Sequence, residues 1–341
     1  MTRQDAAKAM IKDDLIGITE AINICSEETR AHFMLGGLLY IATVVNGAIE
    51  WYEKANINVQ SFIDTELITK LRTKAKLYSS DKLIPLEKQK KLMSSIVSTE
   101  KQYWIDQQDE SGIPYPDFLI PDVGSYIVNG HYIGNTLEYA YEFSPLNPKK
   151  IPILEAICGN SKEESHIYKI AIQIGQTMSS LYDTLGIQRG IKKPYDEITI
   201  VTKDHDFRIS NHTFFEKENA IYAFNLLCRV NFLLEMLLPL NKNGFLSFRM
   251  MYITFYHLKF DLENLGLKEI HYNMPYRNKL FRNAMAHYSL FGKLSTAEII
   301  DNVTGYGLFE KFFEEPFEVI NQALINELAK TRDSLEQYVV F

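Results

Sequence analysis

Nineteen consecutive residues, Ala31 to Ile49, carry no formal charge. A run of that length either crosses a bilayer or lies buried in a helical core. His32, Thr43, Asn46 and three glycines interrupt it, and no basic cluster flanks it. Bilayer helices tolerate little polar content and are framed by lysine and arginine. The segment is therefore expected to be a buried helix of an all-α bundle, with Gly36 and Gly37 admitting a close neighbour. No charged start with a cleavage site marks a secretory leader. The expected location is cytoplasmic, with no membrane contact.

The remaining chain repeats the helical pattern. Asp5–Ile24, Glu27–Lys54, Val59–Tyr78 and Leu86–Gln107 place apolar residues at three-and-four spacing, as Leu15, Ile18 and Ile22 do. Residues 108–125, with three prolines and two glycines, read as a loop, and Ser144–Pro152 as a second break. Glu163–Leu185 is helical again. Ile198–Val201 and Phe207–Ile209, flanking Lys203–Asp206, predict a small hairpin near residues 197–210. Phe214–Leu238, stopped by Pro239, then Phe245–Leu265 and a tail helix from Phe317 to Leu335 complete the chain. Asn225, Arg229, Asn231 and Glu235 exclude a lipid-facing role for the first of these. With 341 residues, 46% of them hydrophobic, the core is ample. The expected divisions are an N-terminal helical region (1–125), a helical connecting region with the hairpin (126–213) and a C-terminal helical domain (214–341).

Charge and cysteine narrow the function. A formal net charge of −7 excludes a general nucleic-acid coat. Residues 242–293 nonetheless hold eight lysines and arginines against three acids, and residues 294–341 three against nine. Such a split suits a local phosphate site, and equally two faces that pair in a dimer. The three cysteines, Cys25, Cys158 and Cys228, form neither a disulfide framework nor a metal pattern. His205-Asp206 and His212 lie in a polar, loop-like stretch, so no metal site and no cofactor are expected.

One segment carries chemistry: Arg282-Asn283-Ala284-Met285-Ala286-His287-Tyr288. Arginine offers a permanently charged planar fork for phosphate, and histidine exchanges protons near neutral pH. Asn273 to Pro275 reads as a helix start and Gly292 as its end, giving a helix over Tyr276–Phe291. On it Asn283 and His287 share a face, whereas Arg282 and His287 lie roughly 140° apart and about 7.5 Å along the axis. Leu280, Phe281, Ala284 and Tyr288 are expected to pack the other side. By spacing alone, such a pair more often sits on a surface or satisfies a core.

The pattern Arg282-Asn283-x-x-x-His287, set between long helices, resembles the motif of the HEPN superfamily (higher eukaryotes and prokaryotes nucleotide-binding domains). That signature is Arg, four to six residues, then His, with a polar residue favoured after the Arg. The resemblance covers the last third of the chain. It implies a dimerising helical bundle and, for many members, a metal-independent ribonuclease of toxin–antitoxin or abortive-infection systems. Ser289 stands where some toxin members have a tyrosine, so no role passes to Tyr288. On this resemblance Arg282, Asn283 and His287 are the candidate catalytic residues. His287 serves as base or acid, Arg282 as phosphate clamp and Asn283 as orienting group. Expected partners are RNA, a second copy of the chain, and a regulatory protein or antitoxin. A non-catalytic dimerising or nucleotide- or protein-binding module remains open, as does a structural role for the pair. The N-terminal half shows no catalytic set of its own.

Overall fold

Helices carry the structure, and their caps are written in the sequence. The computed structural model describes residues 1–59, 65–75, 123–135, 138–139, 166–187, 202–207, 219–241, 244–289, 294–301 and 303–339. Helix α1 (Arg3–Ile24) starts in a reciprocal box, Thr2 accepting from the Asp5 amide while Asp5 accepts from Thr2. The uncharged run forms the body of α2 (Glu27–Lys54), capped by Ser26. Helix α3 (Thr65–Lys74) is shorter than expected, since Val59 lies outside it and Ala75 already turns. The predicted helix Leu86–Gln107 and the break Ser144–Pro152 lie outside the described residues. Helix α4 spans His166–Leu185.

The sheet corrects the β expectation. Strands β1 (Val123–Val128), β2 (His131–Asn135) and β3 (Thr202–Phe207) form an antiparallel sheet in the order β2-β1-β3. Residues 203–206, read as a hairpin turn in a loop-like stretch, are extended and pair with β1. The described hairpin is β1–β2, turning at Asn129 (φ 51) and Gly130 (φ 85). Asn-Gly is the strongest short-range hairpin signal because both positions need positive φ. It lies just past the Pro-rich stretch read as a loop, whose last residues, 123–125, instead open β1.

Helix α5 (Ala220–Asn231) continues through a widened π turn at Phe232–Leu237 to Leu240. Its polar residues face inward and anchor neighbours. Asn225 accepts from Asn135 Nδ2 at 2.9 Å, and Asn231 donates to the Tyr132 carbonyl at 2.9 Å. Arg229, paired with Glu138 at 2.9 Å, donates to the Ala75 carbonyl at 2.9 Å. It thereby satisfies backbone left open at the end of α3. Phe232 lies against Gly36, where a Cβ would meet its ring at 2.4 Å. The windows His32–Lys54 and Ala220–Leu240 are long and apolar enough to cross a membrane, yet each is 83% buried inside the protein.

Helix α6 spans Phe245–Leu265 as expected. The motif helix, α7, is only Lys279–His287. Asn278, not Asn273, caps it, accepting from the Leu280 and Phe281 amides at 2.8 and 3.1 Å. It ends at Tyr288, left-handed at φ 50, rather than near Gly292. Phe281, Ala284 and Tyr288 are buried, but Leu280 is 49% exposed. Helices α8 (Leu308–Phe313) and α9 (Phe317–Val339) follow. One continuous apolar core runs from Ala6 to Val339, so helices of the first 125 residues and of 214–341 share it.

A buried polar knot explains why α7 ends where it does. Arg249 on α6, fully buried, pairs with Asp14 on α1 and donates to the Tyr288 hydroxyl. Tyr288 donates to Asp14 at 2.8 Å, and Arg249 Nε donates to the Met285 carbonyl at 2.6 Å. These bonds outweigh the strain of a left-handed tyrosine, on the order of 1–3 kcal/mol. Asp14→Ala strands a buried guanidinium and is expected to cost about 3–5 kcal/mol. Urea unfolding should show this as a lower midpoint at constant slope, and Asp14→Leu with Arg249→Met should recover much of it. A single mutant within about 0.5 kcal/mol of wild type would remove the knot from this role.

Candidate functional site

His287 is the last residue of α7, half-buried, and two N-terminal helices close on its ring. Its Nδ1 lies 2.5 Å from Glu50 Oε2 on α2. Glu50 Oε1 accepts from Asn46 Nδ2 at 2.8 Å and from Arg72 Nη1 on α3. Thr69 Oγ1 in turn donates to Asn46 Oδ1 at 3.0 Å. Asn46 and Glu50 are one turn apart on α2, and Thr69 and Arg72 one turn apart on α3, so two helix faces meet. The approach depends on Gly47. A Cβ there would lie 2.6 Å from the Ala286 carbonyl oxygen.

Arg72 reaches the face of the His287 ring with a guanidinium N–H directed at it. Nη2 is 3.1 Å from Nδ1 and 3.1 Å from Nε2. A point equidistant from both nitrogens within the ring plane would collide with Cε1. The guanidinium nitrogen therefore lies over the ring face, away from the lone-pair direction a hydrogen bond needs. Glu50 can only accept, so the Nδ1 proton belongs to that bond. The Nε2 lone pair of neutral His287 is then left in the plane and uncommitted, a tautomer assigned from the network.

Arg282 lies half-buried at the edge of a cavity of about 30 Å³, together with Arg72, Tyr40, Thr43, Thr254 and His257. Its guanidinium carbon sits 4.9 Å from the Tyr256 ring centre, and that of Arg277 sits 4.1 Å from the same ring. Arg282 Nε is buried without a hydrogen-bond partner. Burial weighs against its charged form, Tyr256 favours it, and the charges of Arg72 and Arg277 oppose it. A guanidinium stays charged at neutral pH regardless. Three arginines thus lie close together, and Glu50 is bonded to one of them, Arg72.

The expected constellation is only partly the observed one. Arg282 and Arg72 line one cavity, and Arg72 contacts His287. Asn283 is half-buried and makes no hydrogen bond to His287, whose ring partners are Glu50 and Arg72. Those two were missed by sequence reasoning. Glu50 had a signal, as the charge that ends the long uncharged run one turn after Asn46. Arg72 had none beyond membership of an amphipathic helix. Comparison with protein-family models, curated proteins and solved structures returns no match for this chain.

The Glu50 carboxyl sits well below its usual range. Burial raises it, but the hydrogen bond from His287, the Arg72 and His287 charges and the Asn46 amide bring it from 4.5 down to about 2. A carboxyl depressed on folding stabilises the fold above its unfolded value and loses that contribution as pH falls through the folded one. The window here runs from 4.5 down to about 2. Glu50→Gln should flatten the loss of stability across it, followed as the urea midpoint at successive pH values. Parallel profiles for mutant and wild type would contradict this.

Proposed function

We propose that the protein is a metal-independent endoribonuclease of the HEPN type, acting in the cytoplasm in bacterial defence or a toxin–antitoxin pair. The observation that carries this reading is the guanidinium of Arg282, with a buried unpartnered Nε, at a cavity shared with the arginine that contacts His287. Arg72 has Glu50 as its counter-ion, but Arg282 has no ion pair among the described residues, and such a cation asks for an anion. A histidine held against one of the arginines of that anion site supports proton transfer rather than binding alone.

The reaction is internal transesterification of RNA. The ribose 2′ oxygen gives its proton to His287 and bonds to phosphorus, while the bond from phosphorus to the 5′ oxygen breaks. The products are a 2′,3′-cyclic phosphate and a 5′ hydroxyl. Arg282 holds the phosphate and stabilises the charge that builds on it. Asn283, with no hydrogen bond to His287, is left to contact the RNA. A single histidine cannot take one proton and give the other at once. The leaving oxygen is protonated by His287 of a second copy, in a two-fold dimer. Leu280, apolar and exposed on the motif helix, suits such an interface. A regulatory protein or antitoxin would act by covering it.

Single-stranded RNA should be cut in EDTA to leave 2′,3′-cyclic phosphate ends. His287→Ala and Arg282→Ala should each lose about 10²–10⁴-fold or more while staying folded, and Asn283→Ala less. A substrate with 2′-deoxyribose at the cleavage position should resist. If it is cut as fast as all-ribose RNA, or if His287→Ala keeps full activity, the ribonuclease reading fails and a binding module replaces it. Sedimentation should show a dimer at micromolar concentration, and a strict monomer would remove the paired-histidine step.

A further inference from the structure

We propose that Glu50 and Arg72 are positioning residues for His287, fixing its tautomer and ring plane so that Nε2 is the atom that exchanges the proton. The reaction they serve rests on the ribonuclease reading; the tautomer itself does not.

Three observations carry this. Glu50 Oε2 lies 2.5 Å from Nδ1, and a carboxylate at that position can only receive a proton-bearing nitrogen. Arg72 lies over the ring face, so it restrains rotation without occupying the Nε2 lone pair. Both partners are themselves held. Glu50 is bound by Asn46 and Arg72, and Asn46 by Thr69. The carbonyl just beyond α3 is bound by Arg229, which is paired with Glu138 in the core. A flexible surface ion pair lacks such support. His287, 27% exposed at its side chain, keeps a solvent-facing edge for substrate.

Each positioning residue has a separate consequence. Without Glu50, the Nδ1 proton loses its acceptor and both neutral tautomers become populated, so a fraction of sites presents a proton where a lone pair is needed. Without Arg72, the ring loses the N–H directed at its face and Glu50 loses its second cation. Lysine at position 72 restores charge to Glu50 but not the second, rigidly placed N–H that meets the ring. In either case proton transfer suffers more than RNA binding.

Long-range proton–nitrogen NMR of the full chain reads the tautomer directly, with the His287 ring assigned by its loss in His287→Asn. Wild type should show neutral His287 with the proton on Nδ1. Glu50→Ala should convert this to a mixture, with kcat reduced about 10- to 100-fold and KM changed by less than about threefold. Arg72→Lys should keep the tautomer yet recover only part of the kcat lost in Arg72→Ala. A wild-type ring protonated on Nε2 overturns the proposal without any variant, and so does an unchanged tautomer in a folded Glu50→Ala. If the tautomer behaves as stated but the wild type does not cleave RNA, the positioning stands and the ribonuclease reading falls.

Discussion

The ion pair of Arg249 with Asp14 holds the rest of the arrangement together. It joins α1 to α6, and through Tyr288 and the Met285 carbonyl it fixes the end of α7. His287 is placed between those two anchored residues, so its backbone has little freedom. A buried ion pair is rarely a net source of stability compared with a well-packed apolar pair. Its value here lies in direction. Apolar packing would hold α7 against the core, but hydrogen bonds to one carbonyl and one hydroxyl decide where the helix stops and which way its last side chain leaves.

Around that fixed end, the site is built by helices that come from far away in sequence. Glu50 lies on the long buried α2 and Arg72 on the short α3, and His287 follows more than two hundred residues later. Backbone contact at Gly47 sets the distance between α2 and α7. Arg229 sets the position of α3 from the opposite side. Ring, carboxylate and guanidinium are therefore each tied to a core element by at least one bond that has no part in chemistry.

Much of the fold was legible because helix signals are local. The periodicity of α1, α2 and α6 and the stop at Leu265 all lie in neighbouring residues. The ends of α7 were not legible. Asn273 and Asn278 are equally good caps in sequence, and Tyr288 ends the helix only because Arg249 and Asp14 wait for it. The β1–β3 pairing joins strands more than seventy residues apart, which no local pattern reports. The motif pointed to Arg282 and His287, but the carboxylate that orients the histidine carries no sequence mark beyond ending an uncharged run.

The distance in sequence between Glu50 and His287 has a consequence for the order of events at the ribosome. Their separation is 237 positions. At the usual pace of synthesis, about 5–20 residues per second, the carboxylate is made some tens of seconds before the ring it will hold. Through that interval α2 and α3 present an acidic residue and a basic one with no imidazole between them. The N-terminal helices can collapse on one another, but the site comes into being as a unit only when α7 docks. A growing chain thus carries no assembled His287 centre until almost all of its core partners already exist.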